Sequence, residues 1–207
     1  MAASARKLEG PRIIGWATLA LGAMTALLLG FYGVDEPGIR VMIRATARTS
    51  VLLFTAAFVA SSAARLWPHP LTRWLLRNRR YLGLSFAVSH AEHLVFIVYG
   101  AAIAGFLEIN TVALVGGGTA YLFVLAMAAT SFDGAVTWMG RVRWQRLHTF
   151  GAYYIWFIFL QTYLPRALLE SVAYLPLALL LIAGLVVRLL ARRAAAARTA
   201  AAADAAA

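Results

Sequence analysis

The chain of 207 residues has no cysteine, so disulfide frameworks, thiolate metal centres, iron–sulfur clusters and cysteine nucleophiles are all excluded. Charge is scarce as well: 13% of residues are charged, and Asp and Glu together number 8. With 62% of residues in the AVILMFWYC set and a mean hydropathy of +0.77, neither a disordered chain nor a water-covered domain fits. The chain has no Gly-rich dinucleotide fingerprint and no HExxH helix, which removes a built-in nicotinamide or flavin domain and a HExxH zinc site. What is present is apolar sequence in long runs, as in a polytopic membrane protein. The net charge of +11 would point to nucleic acid in a soluble protein. Here the basic residues fall between apolar runs, where they set orientation, so no nucleic-acid partner is expected.

Runs long enough to cross roughly 30 Å of hydrocarbon, about 20 residues each, occur at 12–34, 41–64, 82–107, 111–131, 146–164 and 171–190. They are rich in Ala and Leu and do not alternate, so the expected fold is an all-α bundle of six transmembrane helices and not a β-barrel. The first run follows basic residues as a secretory signal does, but its apolar core is too long and ends in no small-x-small site, so it is read as a span. Fifteen of the 19 basic residues lie in the amino terminus (Arg6, Lys7, Arg12), the 65–80 and 132–146 connections, and the tail from Arg188. Arg40, Arg44, Arg48 and Arg166 lie on the other side with Asp35, Glu36, Glu108 and Glu170. The positive-inside bias therefore puts both termini in the cytoplasm, as in a multi-pass protein of a bacterial inner membrane. Residues 1–193 read as one membrane domain and 194–207 as an Ala-rich cytoplasmic tail.

Ionisable residues inside spans are costly unless paired, ligated or hydrated, so they are the informative ones. The third span contains Ser89, His90, Glu92 and His93 in the run FAVSHAEHLVF; the fifth opens with RLHTFGAYY, which holds His148, and carries Gln161 further along. His90 and His93 share a helical face, and Glu92 points elsewhere. Histidines on different helices of a bundle suit haem iron, and the plainer alternative is a set of buried groups that fix helix packing. The glycines 116–118 are expected to permit close helix approach, and His69, between two prolines, to be a solvated loop residue.

Between Arg79 and Leu94 the string RRYLGLSFAVSHAEHL resembles a segment of the bacterial ferric reductase-like transmembrane domain family, in particular of the haem-binding membrane subunits of methionine sulfoxide reductase systems. TARTSVLLF at 46–54 and TSFDGAVTWMGRVRWQRLHTFGAYY at 130–154 are similar to two further segments of those subunits, in the same order. The resemblance implies that His93 and His148 occupy positions that bind the iron of one b-type haem, with quinone or FMN as further candidate cofactors. His90 is additional, and the place of a third family histidine is Gln161 here. Counted from the cytoplasmic span ends, His93 and Gln161 are level, and His148 sits about 15 Å nearer the cytoplasm at about 1.5 Å per residue. Three arrangements stay open: iron on His93 with no second imidazole, iron shared by His90 or His93 with a tilted His148, or a chain without haem. Arg48 is a candidate partner for a haem propionate or for Glu92.

If haem is bound, the expected role is electron transfer by a subunit, not a complete enzyme with its own acid or base. The resemblance implies an external flavin reductase or membrane quinol as donor and a periplasmic oxidoreductase or ferric iron as acceptor, with lipid around the bundle. The rival reading is a cofactor-free six-helix protein, a proton or small-solute pathway or a structural partner, in which Glu92, His90 and His93 form a relay.

Overall fold

The structure, a computed structural model, describes residues 8–205. Arg6 and Lys7 of the basic amino terminus and the last two residues of the tail lie outside the described residues. All regular structure within the described residues is helical: α1 (Arg12–Tyr32), α2 (Glu36–Leu66), α3 (Pro70–Val98), α4 (Thr111–Ala129), the short α5 (Asp133–Met139), α6 (Arg141–Leu169) and α7 (Leu175–Asp204). A π-helical turn, Tyr99–Ile103, prolongs α3, and a 3-10 turn, Val172–Tyr174, precedes α7.

Five of these helices, α1, α2, α3 with its π turn, α4 and α7, are long and apolar enough to cross a membrane. The protein is an integral membrane protein. Outward-facing apolar side chains such as Leu19, Leu27, Leu122, Leu125 and Leu179 are exposed on the isolated bundle, as a lipid-facing surface requires. The remaining long helix, α6, has 29 residues but carries Arg141, Arg143, Arg146, Gln161 and Arg166, which lower its hydropathy. It packs between α4 and α7 and runs antiparallel to both. His148 and Tyr154 bond α4 near Thr130 and Gly116, while Tyr153 and Trp156 bond α7 at Arg188 and Leu181.

Helix ends follow capping chemistry more than hydropathy. α2 starts at Glu36 instead of residue 41, because the Asp35 carboxylate accepts from Gly38 N at 3.3 Å and Pro37 suits the first turn. α3 starts at Pro70, so Arg73, Arg77, Arg79 and Arg80 stand on a helix and not in a loop. His69 is its N-cap: the exposed ring accepts from Leu71 N at 3.3 Å, and Thr72 Oγ1 accepts from His69 N at 3.1 Å. At the far end the helix stops at Ile103, short of the expected Leu107. Gly100 O accepts from Phe106 N and Leu107 N, each at 3.1 Å, and Gly105 turns the chain back at φ 71. α7 continues through the Ala-rich tail to Asp204.

The principal contact in the fold is the antiparallel pair α2–α3. Thr46, Ser50, Ser85 and Ser89 are 0% exposed along this seam, and small side chains let the two backbones approach closely. Ser50 and Ser89 hydroxyls bond each other at 3.0 Å, and Ser89 Oγ reaches Thr46 O at 3.5 Å. Towards the basic end the seam widens into an aromatic core. Phe54 packs at 5.2–5.4 Å, centroid to centroid, on Phe58, Phe86 and Phe159, which ties α2, α3 and α6 together. Each such pair adds about 0.5–1.5 kcal/mol beyond its area burial.

Candidate functional site

Two places gather chemistry-bearing side chains. The first lies past the polar seam, where His90 and His93 project from α3 with ring centroids 5.4 Å apart and planes at 23°. His93 turns to α2, its Nδ1 3.1 Å from Thr46 Oγ1. His90, 7% exposed, turns to α4 and α6: Tyr121 stacks on it at 4.6 Å, and Phe159 meets it edge-on at 5.5 Å. The Tyr121 hydroxyl donates to the His90 carbonyl at 3.1 Å, which fixes the stacked ring. His90 Nδ1 is buried without a hydrogen-bond partner. An imidazole nitrogen left so costs about 1–3 kcal/mol, the usual sign of a strain reservoir or of a group awaiting a ligand.

Glu92, between the two histidines in sequence, points the other way to α1. Its Oε1 accepts from Thr25 Oγ1, and Oε2 is buried without a partner. It makes no ion pair with Arg48. Arg48 is exposed on α2 and stands over the Tyr174 ring at 5.8 Å, beside Arg166 at 6.0 Å from the same ring. Gln161 is exposed on α6 and faces Gly116 of α4, two residues beyond the Phe159 that meets the His90 ring.

The second place is a cavity of about 700 Å³ at the basic end, open between α2, α3, α4, the short α5, α6 and α7. His148 lines it, as do Arg65, Arg77, Arg79, Arg80 and Arg188; Asp133 is its one carboxylate and is bound by Arg80 at 2.8 Å. Arg80 also donates to Ser131 O, and Arg79 Nε donates to Ala57 O at 3.2 Å. The inner walls are apolar: Phe54, Phe86, Val124 and Ile155. A space of this size with aromatic walls and a basic mouth suits a flat ring bearing anionic groups. His148 stands at its edge, stacked on Trp144 at 4.2 Å, with Nε2 3.1 Å from Thr130 Oγ1. Trp144 Nε1 donates to Thr130 O at 2.9 Å and so clamps the start of α6 to the end of α4.

Phe86 separates the two places. It lines the cavity on one side and lies 5.3 Å from the His90 ring on the other. The structure thus brings His90 and His93 together, holds His148 at the basic end, and places Arg48 and Gln161 with neither group. Among the described residues no three His, Asp or Glu side chains converge as a metal cage would require. Tested for chemistry, the side chains fit haem: an unpartnered imidazole nitrogen on His90 beside the His93 ring for iron, and arginines for propionates. They do not form a single gap flanked by His93 and His148, because Phe86 and His90 fill the space between. The sequence reading missed Thr46, Thr130, Tyr121 and Arg188. The one available signal was the four-residue spacing of Thr46 with Ser50 and of Ser85 with Ser89, a small polar stripe on each of two apolar helices.

No family model matches the chain, and no solved structure does. Two curated relatives do. The protein-methionine-sulfoxide reductase heme-binding subunit MsrQ of Cronobacter sakazakii is 31% identical over 150 residues, which cover 66% of this chain and 73% of that protein. The MsrQ subunit of Azospira oryzae is 34% identical over 83 residues, 36% of this chain and 34% of that protein. The histidine pair, the basic cavity and these likenesses agree, and the chain belongs to the family of MsrQ heme-binding subunits.

Proposed function

We propose that this chain is a haem-binding electron-transfer subunit of a bacterial inner-membrane oxidoreductase, with six spans, both termini cytoplasmic and one haem b. The observation that carries the reading is the buried, unpartnered nitrogen of His90 beside His93, in a chain whose relatives are named for binding haem. Support for six spans comes from α6, which lies lengthwise between two helices that are themselves long and apolar enough to cross. Haem held by these imidazoles would supply a one-electron ferric–ferrous couple. The protein's own part is to fix the rings, exclude water through the Phe54, Phe86 and Phe159 cluster, and neutralise carboxylates with arginine. The cavity on the basic side suits the donor end, where a flavin reductase, a quinol or bound FMN would deliver electrons. Arg44, Arg48 and Arg166 lie at the other end, facing an extracytoplasmic oxidoreductase or a ferric acceptor.

The test is a spectrum. Protein purified in detergent after expression with ample haem supply is expected to show a Soret band that shifts on dithionite reduction. His93→Ala is expected to abolish it and His148→Ala to weaken it, while His69→Ala, altering an exposed cap, leaves it unchanged. A colourless wild-type protein refutes the reading. The second reading, a cofactor-free proton pathway, draws on the unpartnered Glu92 oxygen; a colourless protein that conducts protons in liposomes and loses this in Glu92→Gln would support it.

A further inference from the structure

We infer that Thr46 is a positioning residue that fixes the tautomer of His93 and leaves its Nε2 as the free ligand nitrogen, whereas Thr130 holds His148 in the opposite tautomer. The inference rests on the haem reading for its consequence, and on hydrogen-bond geometry alone for the tautomers.

A threonine hydroxyl has one proton and two lone pairs. Thr46 Oγ1 lies 2.7 Å from Met42 O and 3.3 Å from Ile43 O. Both neighbours are carbonyls and can only accept, so the hydroxyl proton is engaged within α2. The remaining contact, 3.1 Å to His93 Nδ1, is then an Nδ1–H donating to Oγ1. Thr46 is 0% exposed, which keeps water from its hydroxyl, and the half-buried His93 also bonds the Ile43 backbone. A neutral imidazole carries a single N–H, so the lone pair of His93 resides on Nε2.

The same count at the basic end gives the reverse. Thr130 Oγ1 is 2.7 Å from Ala126 O, to which it donates, and 3.1 Å from His148 Nε2, from which it accepts. The lone pair of His148 is therefore on Nδ1, next to its own Cβ, where a flat macrocycle cannot approach without striking the side chain. His148 must turn its ring or release Thr130 before Nε2 is available. The two imidazoles that match the family pattern are thus unequal: His93 is preset as an iron ligand and His148 is not. A partner on the distal nitrogen orients the ring and raises its basicity, and its loss typically costs about 10–100-fold in affinity.

The experiment uses the full-length chain with 15N-labelled histidine in detergent. In the haem-free protein, long-range proton–nitrogen spectra are expected to show His93 protonated on Nδ1 and His148 on Nε2. Thr46→Val is expected to release His93 towards the other tautomer, and Thr46→Ser to retain the wild-type form. After haem is added, Thr46→Val is expected to weaken binding about 10–100-fold and to raise the reduction potential, since a less basic imidazole stabilises ferric iron less. Thr46→Ser should restore both. An Nε2-protonated His93 in the wild type, or a Thr46→Val protein with unchanged tautomer and potential, overturns the inference. Failure of wild-type protein to bind haem refutes the haem reading instead, and the nitrogen spectrum still decides the tautomers. If Thr46→Val does not fold, the wild-type spectrum and Thr46→Ser decide alone.

Discussion

Arg188 shows how one residue in an apolar bundle makes itself tolerable. Its Nη1 donates to Phe58 O at 2.7 Å, its Nε to the Tyr153 hydroxyl at 3.1 Å, and its guanidinium stands over both rings at 4.2 and 4.7 Å. The one side chain therefore joins α7 to α2 and α6. Hydrogen bonds from a charged group are worth about 1.5–3 kcal/mol each, and a desolvated cation–π contact about 2 kcal/mol. Arg188→Met is expected to lower the thermal midpoint in detergent clearly, with Arg188→Lys intermediate, because an ammonium keeps the charge but lacks the planar guanidinium that bonds both acceptors from separate nitrogens while lying over the two rings. Equal midpoints for Met and wild type would show that the three-helix joint contributes nothing. At this scale the sequence revealed which residues were expensive, but not their partners. His90 and His93 were placed on one face by their spacing and do lie side by side, yet the partner of each sits on another helix at an unrelated position, Tyr121 for one and Thr46 for the other.

At the scale of elements, close packing of α6 on α4 depends on a residue without a side chain. A Cβ at Gly151 would stand 2.6 Å from Met127 Sδ and 3.1 Å from Phe123 Cδ1. The methionine tip can swing aside, while the phenyl ring is held by Phe150 and Tyr154 at 5.4 and 5.3 Å. Gly151→Leu should therefore overpack the joint and destabilise by about 1–3 kcal/mol, read as loss of the folded fraction in a detergent denaturation series, with Gly151→Ala smaller. A Leu variant as stable as wild type would mean that the helices part freely. The glycine run at 116–118, by contrast, is expected to mark close approach, and only at Gly116 would a Cβ meet neighbours, Ile158 Cδ1 at 3.5 Å and Gln161 Nε2 at 3.9 Å. Apolar runs located the long helices and the starts of α1 and α4, but missed the starts of α2 and α3, because Asp35 and His69 set them by capping, a short-range hydrogen bond that hydropathy does not register.

For the whole molecule the open element is α6, the long helix whose arginines hide its apolar centre. The chain has no cysteine, so single cysteines can be introduced without background. With six spans and cytoplasmic termini, Glu108→Cys and Ser171→Cys should react with an impermeant maleimide on intact spheroplasts. Arg141→Cys and Arg193→Cys should react only after permeabilisation; all four sites are exposed in the bundle. Labelling at residue 141 from outside would show that α6 does not cross as proposed.

Residue order alone carries the membrane class, the long helices and the division of basic residues between two ends, because transfer free energy and positive-inside bias act on composition along one dimension. The same order names every imidazole the protein owns. Which of them share a site is a matter of packing: α3 turns His93 to Thr46 and His90 to Tyr121, while α6 leaves His148 at the arginine-lined cavity beyond Phe86. Hydrogen bonds and ring contacts between helices depend on axial rotation and register. Lipid-facing apolar surface leaves both free, and only the assembled bundle settles them.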